Sequence, residues 1–233
     1  MIKKLILVFS VLTLFLGDIQ TSQASQVTEL KERLDALTGE VSQLRTRLQQ
    51  AEDYIAISNL QRIYGYYVDK GLSNQAADLF SADATLEIAG RGLYRGSDRI
   101  RAYLNTMPPL APGRLFDHMQ LQPVIHITPD GRTAKGRLRA LIQNGVYGES
   151  AIWGAGVYEN EYLKVNGVWK INKLHFYTTF YANYEDSWSR NALPLYGELP
   201  NLPPDEPPTE RYESYPGVYI PPYHYSNPVS GRQ

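Results

Sequence analysis

The chain has 233 residues, enough for one domain of ordinary size with extensions, and its formal net charge is only −1. This balance gives no electrostatic reason to expect a nucleic-acid partner, and the absence of cysteine excludes disulfides, thiolate metal sites and a cysteine nucleophile. Tyrosine is abundant at 18 residues, which suits either core packing or a pocket for aromatic ligands, because each ring adds apolar area and one hydroxyl.

The first segment, residues 1–24, has the pattern of a secretory signal peptide. Lys3 and Lys4 supply the positive start, and residues 5–16 are apolar but too short for a comfortable membrane span. Small residues at Ser22 and Ala24 favour cleavage after Ala24, and no cysteine follows to carry a lipid anchor. We expect a periplasmic or secreted protein with no membrane contact after cleavage; an uncleaved anchor is the alternative.

Residues 25–51 carry a heptad repeat. Apolar residues alternate at steps of four and three, which is the a/d seam of a coiled coil. The seam consists of Leu30, Leu34, Leu37, Val41, Leu44, Leu48, Ala51 and Ile55. We expect it to join protomers into a homo-oligomer, a dimer or a trimer. The alternative is an amphipathic helix folded back onto its own domain.

The pattern of residues 52–188 predicts one α+β domain. It contains helices at 52–70, 74–80 and 98–106, short strands at 84–88 and 93–95, and long strands at 116–128, 133–147, 151–165 and 168–181. Turn signals at Pro129-Asp130-Gly131 and Asn166-Gly167 join long strands. These elements predict a cone-shaped, curved antiparallel sheet that wraps over the N-terminal helices and leaves one open mouth.

Residues 189–233 form a Pro/Tyr-rich C-terminal arm. Most of the 15 prolines of the chain lie there, so regular helix or sheet is excluded. The tyrosines favour an extended arm that lies over its own or a neighbouring protomer, and disorder is the alternative.

Asp69 and His118 are the candidate catalytic pair. Asp69 ends a helix that Gly71 closes, and His118 opens the first long strand. An imidazole with a pKa near about 6.5 suits proton transfer at neutral pH, and a carboxylate at a helix C-terminus opposes the helix dipole and calls for a partner. We expect Asp69 to orient His118 as a general base. The alternative is a structural histidine and a solvated carboxylate.

Further candidates surround this pair. Tyr66 lies three residues before Asp69 and either donates to a developing oxyanion or packs in the core. Arg137 would indicate an anionic or phenolate substrate if it points into the cone. The candidate substrate-binding residues are Tyr67, Gln120, Arg137, Trp153, His175 and Tyr177. No ligand spacing among the histidines supports a metal site.

Several motifs resemble the nuclear transport factor 2-like superfamily, in its SnoaL-like branch. They lie at residues 66–71, 76–84, 94–96, 117–118 and 168–171. The resemblance implies the cone fold. It gives little information about function, because this fold hosts enzymes, ligand binders and transport adaptors.

Two enzymes of that superfamily, scytalone dehydratase and hexachlorocyclohexane dehydrochlorinase, have an aspartate and a histidine at positions that Asp69 and His118 match. The resemblance implies that the histidine takes a proton from carbon while the aspartate aligns it, without metal or organic cofactor. Scytalone dehydratase has a second histidine where this chain has Gln143-Asn144, and a tyrosine where this chain has Val68, so the same dehydration is not implied.

Residues 117–124 also resemble the diarylpropane lyases of lignin-degrading bacteria, which release formaldehyde. Together these features predict a cofactor-independent lyase acting on an aromatic small molecule, such as a lignin-derived diaryl compound that loses formaldehyde or water. A dehydratase or isomerase of the same fold, and a non-catalytic protein that binds a hydrophobic ligand, are the alternatives.

Overall fold

The structure is a computed structural model that describes the backbone of residues 2–233 and the side chains of residue 23 and residues 25–233. Met1 and most side chains of the predicted signal peptide, residues 1–24, lie outside the described residues; of that segment the structure describes only the backbone of residues 2–24 and the side chain of Gln23. Within the described part of the chain, no helix is long and apolar enough to cross a membrane. The chain divides into two compact units, residues 1–49 and residues 50–233.

Helix α1 spans Ile2–Asp69 and contains the whole heptad repeat. Gly71 ends it with a φ of 65°, a left-handed conformation that glycine adopts without steric cost. The N–H of Gly71 donates to the carbonyl of Val68 at 3.1 Å, and the N–H of Leu72 donates to that of Tyr67 at 2.8 Å. These two bonds satisfy carbonyls that the last turn leaves free.

The second unit continues with two short helices and six strands. They are α2 (Ser73–Asp78), β1 (Phe80–Ile88), β2 (Leu93–Arg95), α3 (Ser97–Leu104), β3 (Arg114–Ile127), β4 (Thr133–Val146), β5 (Ser150–Val165) and β6 (Val168–Asn183). The strands follow the predicted order with small shifts of their ends. The turn at Asn166-Gly167 joins β5 to β6, with both residues at positive φ.

The six strands form one curved, unclosed sheet in the order β2-β1-β6-β5-β4-β3. The predicted α+β cone is confirmed. One detail differs from the expectation of a purely antiparallel sheet, because β1 pairs with β6 in parallel. Tight turns specify pairs of strands that follow each other in the chain, whereas the β1–β6 pair joins distant segments and leaves no local signal.

The core lies between the concave face of the sheet and the helices. Ile57, Tyr64 and Val68 of α1 are buried there, together with Ile100 and Leu104 of α3. In α1 these residues recur at helical spacing, so one stripe of the helix is covered by the sheet. The N-terminal end of β3, the last strand of the sheet, comes next to the C-terminal end of α1.

The later part of the C-terminal arm, from Thr209 onward, lies over the opposite face of the sheet. The N–H and hydroxyl of Thr209 both donate to the Glu87 carboxylate at 2.8 Å. The Tyr212 hydroxyl accepts a hydrogen bond from the N–H of Thr178 at 2.8 Å, and its ring stacks on Tyr219 with centroids 4.4 Å apart. The arm thus covers a sheet face that would otherwise expose aromatic rings to water.

Candidate active site

A cavity of about 270 Å³ lies between the helices and the concave face of the sheet. Its aromatic lining comprises Tyr64, Tyr103, Phe116, Phe176, Tyr181 and Tyr196. A wider opening of about 1050 Å³ adjoins it and shares Arg114, Asn144 and Ile152 with it. The site is therefore an aromatic pocket below a broad mouth, of a size that suits a small organic molecule.

The sheet makes room for this cavity with a glycine. His118, Ile142, Gly154 and Tyr181 are paired side by side across β3, β4, β5 and β6. A Cβ atom at Gly154 would lie 2.4 Å from the Tyr181 ring, closer than real Cβ contacts. Only glycine leaves space for that ring, which then lines the cavity.

His118 is the one histidine among the described residues that line the cavity. Its Nε2 lies 2.8 Å from the Tyr158 hydroxyl. Its Nδ1 is shielded from solvent and has no hydrogen-bond partner among the described residues. Burial lowers the pKa of His118 to about 4, because a charged ring is poorly solvated there. The imidazole is therefore neutral at pH 7.

Tyr158 is fully buried and anchors the His118 ring. Burial raises its pKa well above the usual range although the Gln120 side chain opposes the rise, so the hydroxyl stays protonated. Gln120 also donates to the carbonyl of His118 at 3.2 Å and accepts a hydrogen bond from Gln61 at 2.9 Å. This partly buried network holds the imidazole in one orientation.

Asp69 contacts His118 through the main chain. Its carboxylate accepts a hydrogen bond of 2.6 Å from the backbone N–H of His118, and it forms none with the ring. Strand β3 is the last strand of the sheet, so N–H groups on its free edge need other acceptors. Burial raises the pKa of Asp69 although the N–H of His118 opposes the rise. In this structure the Asp69 carboxylate therefore holds the start of β3 and makes no hydrogen bond with the imidazole that it was expected to orient.

Tyr66 lies outside the cavity, with 68% of its surface exposed. The buried stripe of α1 passes through Tyr64 and Val68, and a residue two positions away from both points to the opposite side of a helix. Tyr64 therefore lines the cavity where Tyr66 was expected. Tyr67 is partly buried and packs against the core without lining the cavity.

Three other candidates lie on the sheet face beneath the arm. Arg137 pairs with the Glu159 carboxylate and lies 3.9 Å from the centre of the Tyr223 ring. The rings of His175 and Tyr177 stack 3.9 Å apart. Successive side chains of a strand point to opposite faces, and it is the intervening residue, Phe176, that lines the cavity.

The remaining two candidates lie nearer the site. Gln120 belongs to the network beneath the His118 ring. Trp153 lines the wider opening, where its ring packs edge-on against Phe180 at 5.4 Å. Neither contacts the inner cavity directly, since neither is among the residues that line it.

Sequence reasoning missed Tyr158 and two arginines. Arg91 and Arg114 line the cavity, and within the described part of the chain neither forms an ion pair with a carboxylate. Burial raises the pKa of Tyr103 to about 12, and the positive charge of Arg91 acts against the rise. Alternation along β5 gives Tyr158 the same face as Gly154, but the packing that brings its hydroxyl to the His118 ring leaves no local signal.

No group of three or more histidine or acidic residues among the described residues could hold a metal ion. The described residues at and beside His118 supply a neutral imidazole, the buried phenol of Tyr158 that contacts it, and two cations. Such a set can accept, hold and return a proton near an anionic or phenolic ligand.

Comparison with known proteins points to one family. The family model described as SnoaL-like domain matches residues 49–175. No curated protein gives a significant match.

Among solved structures, a putative scytalone dehydratase from Novosphingobium aromaticivorans is similar with 19% identity and a TM-score of 0.54, over 65% of this chain and 96% of that one. A hexachlorocyclohexane dehydrochlorinase, LinA type 2, is 25% identical with a TM-score of 0.53, over 59% and 92%. LinA type 3 from Novosphingobium barchaimii is 24% identical with a TM-score of 0.52, over 59% and 93%.

Proposed function

The chain belongs to the SnoaL-like domain family, as its motifs predicted, and on this premise we propose that it is a cofactor-independent lyase for an aromatic small molecule. The observation that carries the proposal is the state of His118. The ring is neutral, held through Nε2 by Tyr158 and unpaired at its shielded Nδ1, and His118 lines a cavity with an aromatic lining. A neutral imidazole with one free nitrogen is the arrangement that a general base requires.

The reaction begins with proton transfer to His118. In the tautomer that carries its proton on Nε2 and donates it to the Tyr158 oxygen, Nδ1 has a free lone pair. Nδ1 takes a proton from a substrate carbon, the C–H electron pair forms a C=C bond, and the neighbouring C–O bond breaks. The imidazolium then returns the proton to the departing oxygen, which leaves as water. Nothing is oxidised or reduced, so no redox cofactor is needed.

Carbon–carbon cleavage fits the same residues. Nδ1 takes the hydroxyl proton of a hydroxymethyl group, and the C–C bond that carries this group breaks. Formaldehyde leaves, and the electron pair of the broken C–C bond passes to the diaryl carbon. Loss of a neighbouring hydroxyl, protonated by the imidazolium, then forms the C=C bond of a stilbene. Both routes need a base beside a developing negative charge.

The two cavity arginines favour an anionic or phenolic substrate. Arg91 and Arg114 bring two positive charges to the cavity wall, without a carboxylate partner in the described part of the chain. A phenolate or carboxylate would supply the missing negative charge, and a guanidinium binds such oxygens through parallel hydrogen bonds.

The named activities of similar structures support an elimination reaction. One is called a putative scytalone dehydratase and another a hexachlorocyclohexane dehydrochlorinase, and both names describe loss of a small molecule with formation of a double bond. This chain's aromatic cavity favours an aromatic substrate over a small halogenated ring.

The test is a substrate panel with two histidine variants. The purified protein is incubated with hydroxymethyl-bearing diaryl compounds and with phenolic alcohols, and products are followed by mass, formaldehyde assay and stilbene absorbance. We expect turnover to fall at least a hundredfold in His118→Gln. His126→Gln is the matched control, since His126 is an exposed histidine of the same strand. Turnover that persists near the wild-type level in His118→Gln would refute the base assignment.

A non-catalytic ligand-binding protein is the second candidate. The apolar lining of the cavity favours it, because such a pocket binds aromatic rings without any chemistry. Its signature is a bound compound whose mass is unchanged after prolonged incubation, with an affinity that His118→Gln leaves intact.

A further inference from the structure

Helix α1 exposes a continuous row of large apolar side chains that the catalytic proposal does not use. From Val27 to Leu48 the row has exposed fractions between 46 and 64%. The row consists of Val27, Leu30, Leu34, Leu37, Val41, Leu44 and Leu48. A row of this kind costs free energy in water, and a helix whose apolar seam has no cover is only marginally stable by itself.

The order of residue types along the row favours a coiled coil of two helices. With Val27 at an a position, Val41 also falls at a, and both are β-branched, while leucine fills the other a positions of the row. The d positions are all leucine, at Leu30, Leu37 and Leu44. β-Branched residues at a combined with leucine at d favour parallel two-stranded coiled coils over trimers and tetramers.

The charges beside the row favour the same arrangement. In this register Glu40 and Arg47 occupy g positions, and Arg45 and Glu52 occupy e positions. Two parallel helices in register bring each g side chain close to the e side chain five residues later in the partner. Glu40 would then meet Arg45 of the partner copy, and Arg47 would meet Glu52 of the partner copy. Both pairs join opposite charges.

We propose that the row is the interface of a homodimer, in which a second copy of this chain pairs with it as a parallel, in-register coiled coil. The occupant is a second copy because the complementary charges are supplied by the same segment. Gly39 occupies an f position, on the outer side of the pair, where nothing lies within 4 Å of an added Cβ. The proposal is independent of the chemistry at His118.

Single-cysteine variants of the full chain test the orientation, because the chain has no cysteine of its own. Leu30→Cys and Leu44→Cys are oxidised separately and compared by non-reducing electrophoresis. We expect both to form covalent dimers, since a parallel in-register pair sets each residue opposite its own copy. An antiparallel pair sets only its central residue opposite its own copy, so cross-linking at one position alone, or at neither, overturns the proposal.

Gly39→Cys is the matched control on the outer side of the helix. It should cross-link at least tenfold less than either seam variant. Equal cross-linking at Gly39→Cys would indicate random collision and would also overturn the proposal. The mass of the wild-type protein in solution, measured by light scattering, should be twice the chain mass of 26.4 kDa. A monomer or a trimer contradicts the two-stranded interface.

Reversing the charge at Glu40 or at Arg45 tests whether the partner helix is a second copy of this chain. Glu40→Arg sets two arginines against each other across the interface, and Arg45→Glu sets two glutamates against each other, so each homodimer loses its attractive pair. When the two variants are mixed, heterodimers regain opposite charges at both sites and should exceed the one half expected from random pairing. A mixture that stays at the random proportion contradicts the proposed pairing.

Discussion

At the scale of single residues, the site depends on which atom each partner of His118 contacts. The Tyr158 hydroxyl contacts Nε2 of the His118 ring, whereas the Asp69 carboxylate accepts a hydrogen bond from the His118 backbone N–H. The two contacts divide the work that one aspartate was expected to do. Under the proposed function, Tyr158 orients the imidazole, and Asp69 is a positioning residue that holds the strand carrying His118.

Two variants of Asp69 separate these roles. Asp69→Asn keeps a side-chain oxygen that accepts the hydrogen bond from His118, whereas Asp69→Ala removes it. We expect Asp69→Asn to retain turnover within about threefold and Asp69→Ala to lose about 1–3 kcal/mol of folding stability, because the buried N–H loses its acceptor. Turnover and thermal unfolding measure the two effects. A loss of turnover in Asp69→Asn as large as in His118→Gln would show that the negative charge itself is required.

The pH dependence of turnover reports the state of the imidazole. Because burial lowers the pKa of His118 to about 4, the ring stays neutral well below the usual range. We expect kcat/KM to fall on the acid side with an apparent pKa near 4, since this ratio follows the free enzyme. An acid limb near about 6.5, the ordinary histidine value, would contradict the buried environment.

At the scale of elements, the C-terminal arm both covers the sheet and completes the cavity. Tyr196 lines the cavity, and the Arg91 guanidinium lies 4.8 Å from the centre of its ring. The arm is therefore placed to hold one of the two cavity arginines in position through a cation–π contact.

Truncation of the Tyr196 side chain should weaken ligand binding. We expect Tyr196→Ala to raise KM for a phenolic substrate by about three- to tenfold, because the Arg91 contact is worth about 0.5–2 kcal/mol. Tyr223→Ala is the control, since Tyr223 contacts Arg137 on the far side of the sheet. Equal effects of both variants on KM would indicate that the arm acts through general stability alone.

At the scale of the whole molecule, the buried His175 and the partly buried His118 make the fold sensitive to acid. The pKa of His118 is lowered to about 4 and that of His175 to about 3, in both cases first by burial. Both rings are neutral in the folded chain, whereas the unfolded chain protonates them below about 6.5. Stability is therefore full above that pH and is lost as the pH falls toward the folded-state values.

The expected loss is measurable by denaturant titration at several pH values. His118 alone should contribute on the order of 3 kcal/mol between pH of about 6.5 and 4. The raised pKa values of Asp69 and Glu87 act in the opposite direction at the lower end of this range. His118→Asn should flatten the decline, and an unchanged slope would contradict burial of a neutral ring.

Local patterns account for most of the fold. Alternating apolar residues, the turn at Asn166-Gly167 and the helix end at Gly71 each act over a few neighbouring residues, so element types and boundaries follow from them. The motifs also predict the SnoaL-like family, and the family model matches 49–175. His118 could be singled out in the same way, because its position at the head of a strand is a local property.

The sequence by itself determined the order of the elements, the heptad seam and the family. Only the tertiary structure decided which face each strand residue occupies. A bulge between Leu121 and Val124 shifts the register of β3, and beyond this bulge His126 contacts His224 of the arm. Tyr158 meets His118 across 40 positions of sequence. Pairings of this kind are set by the summed contacts of distant segments, and no local pattern encodes that sum.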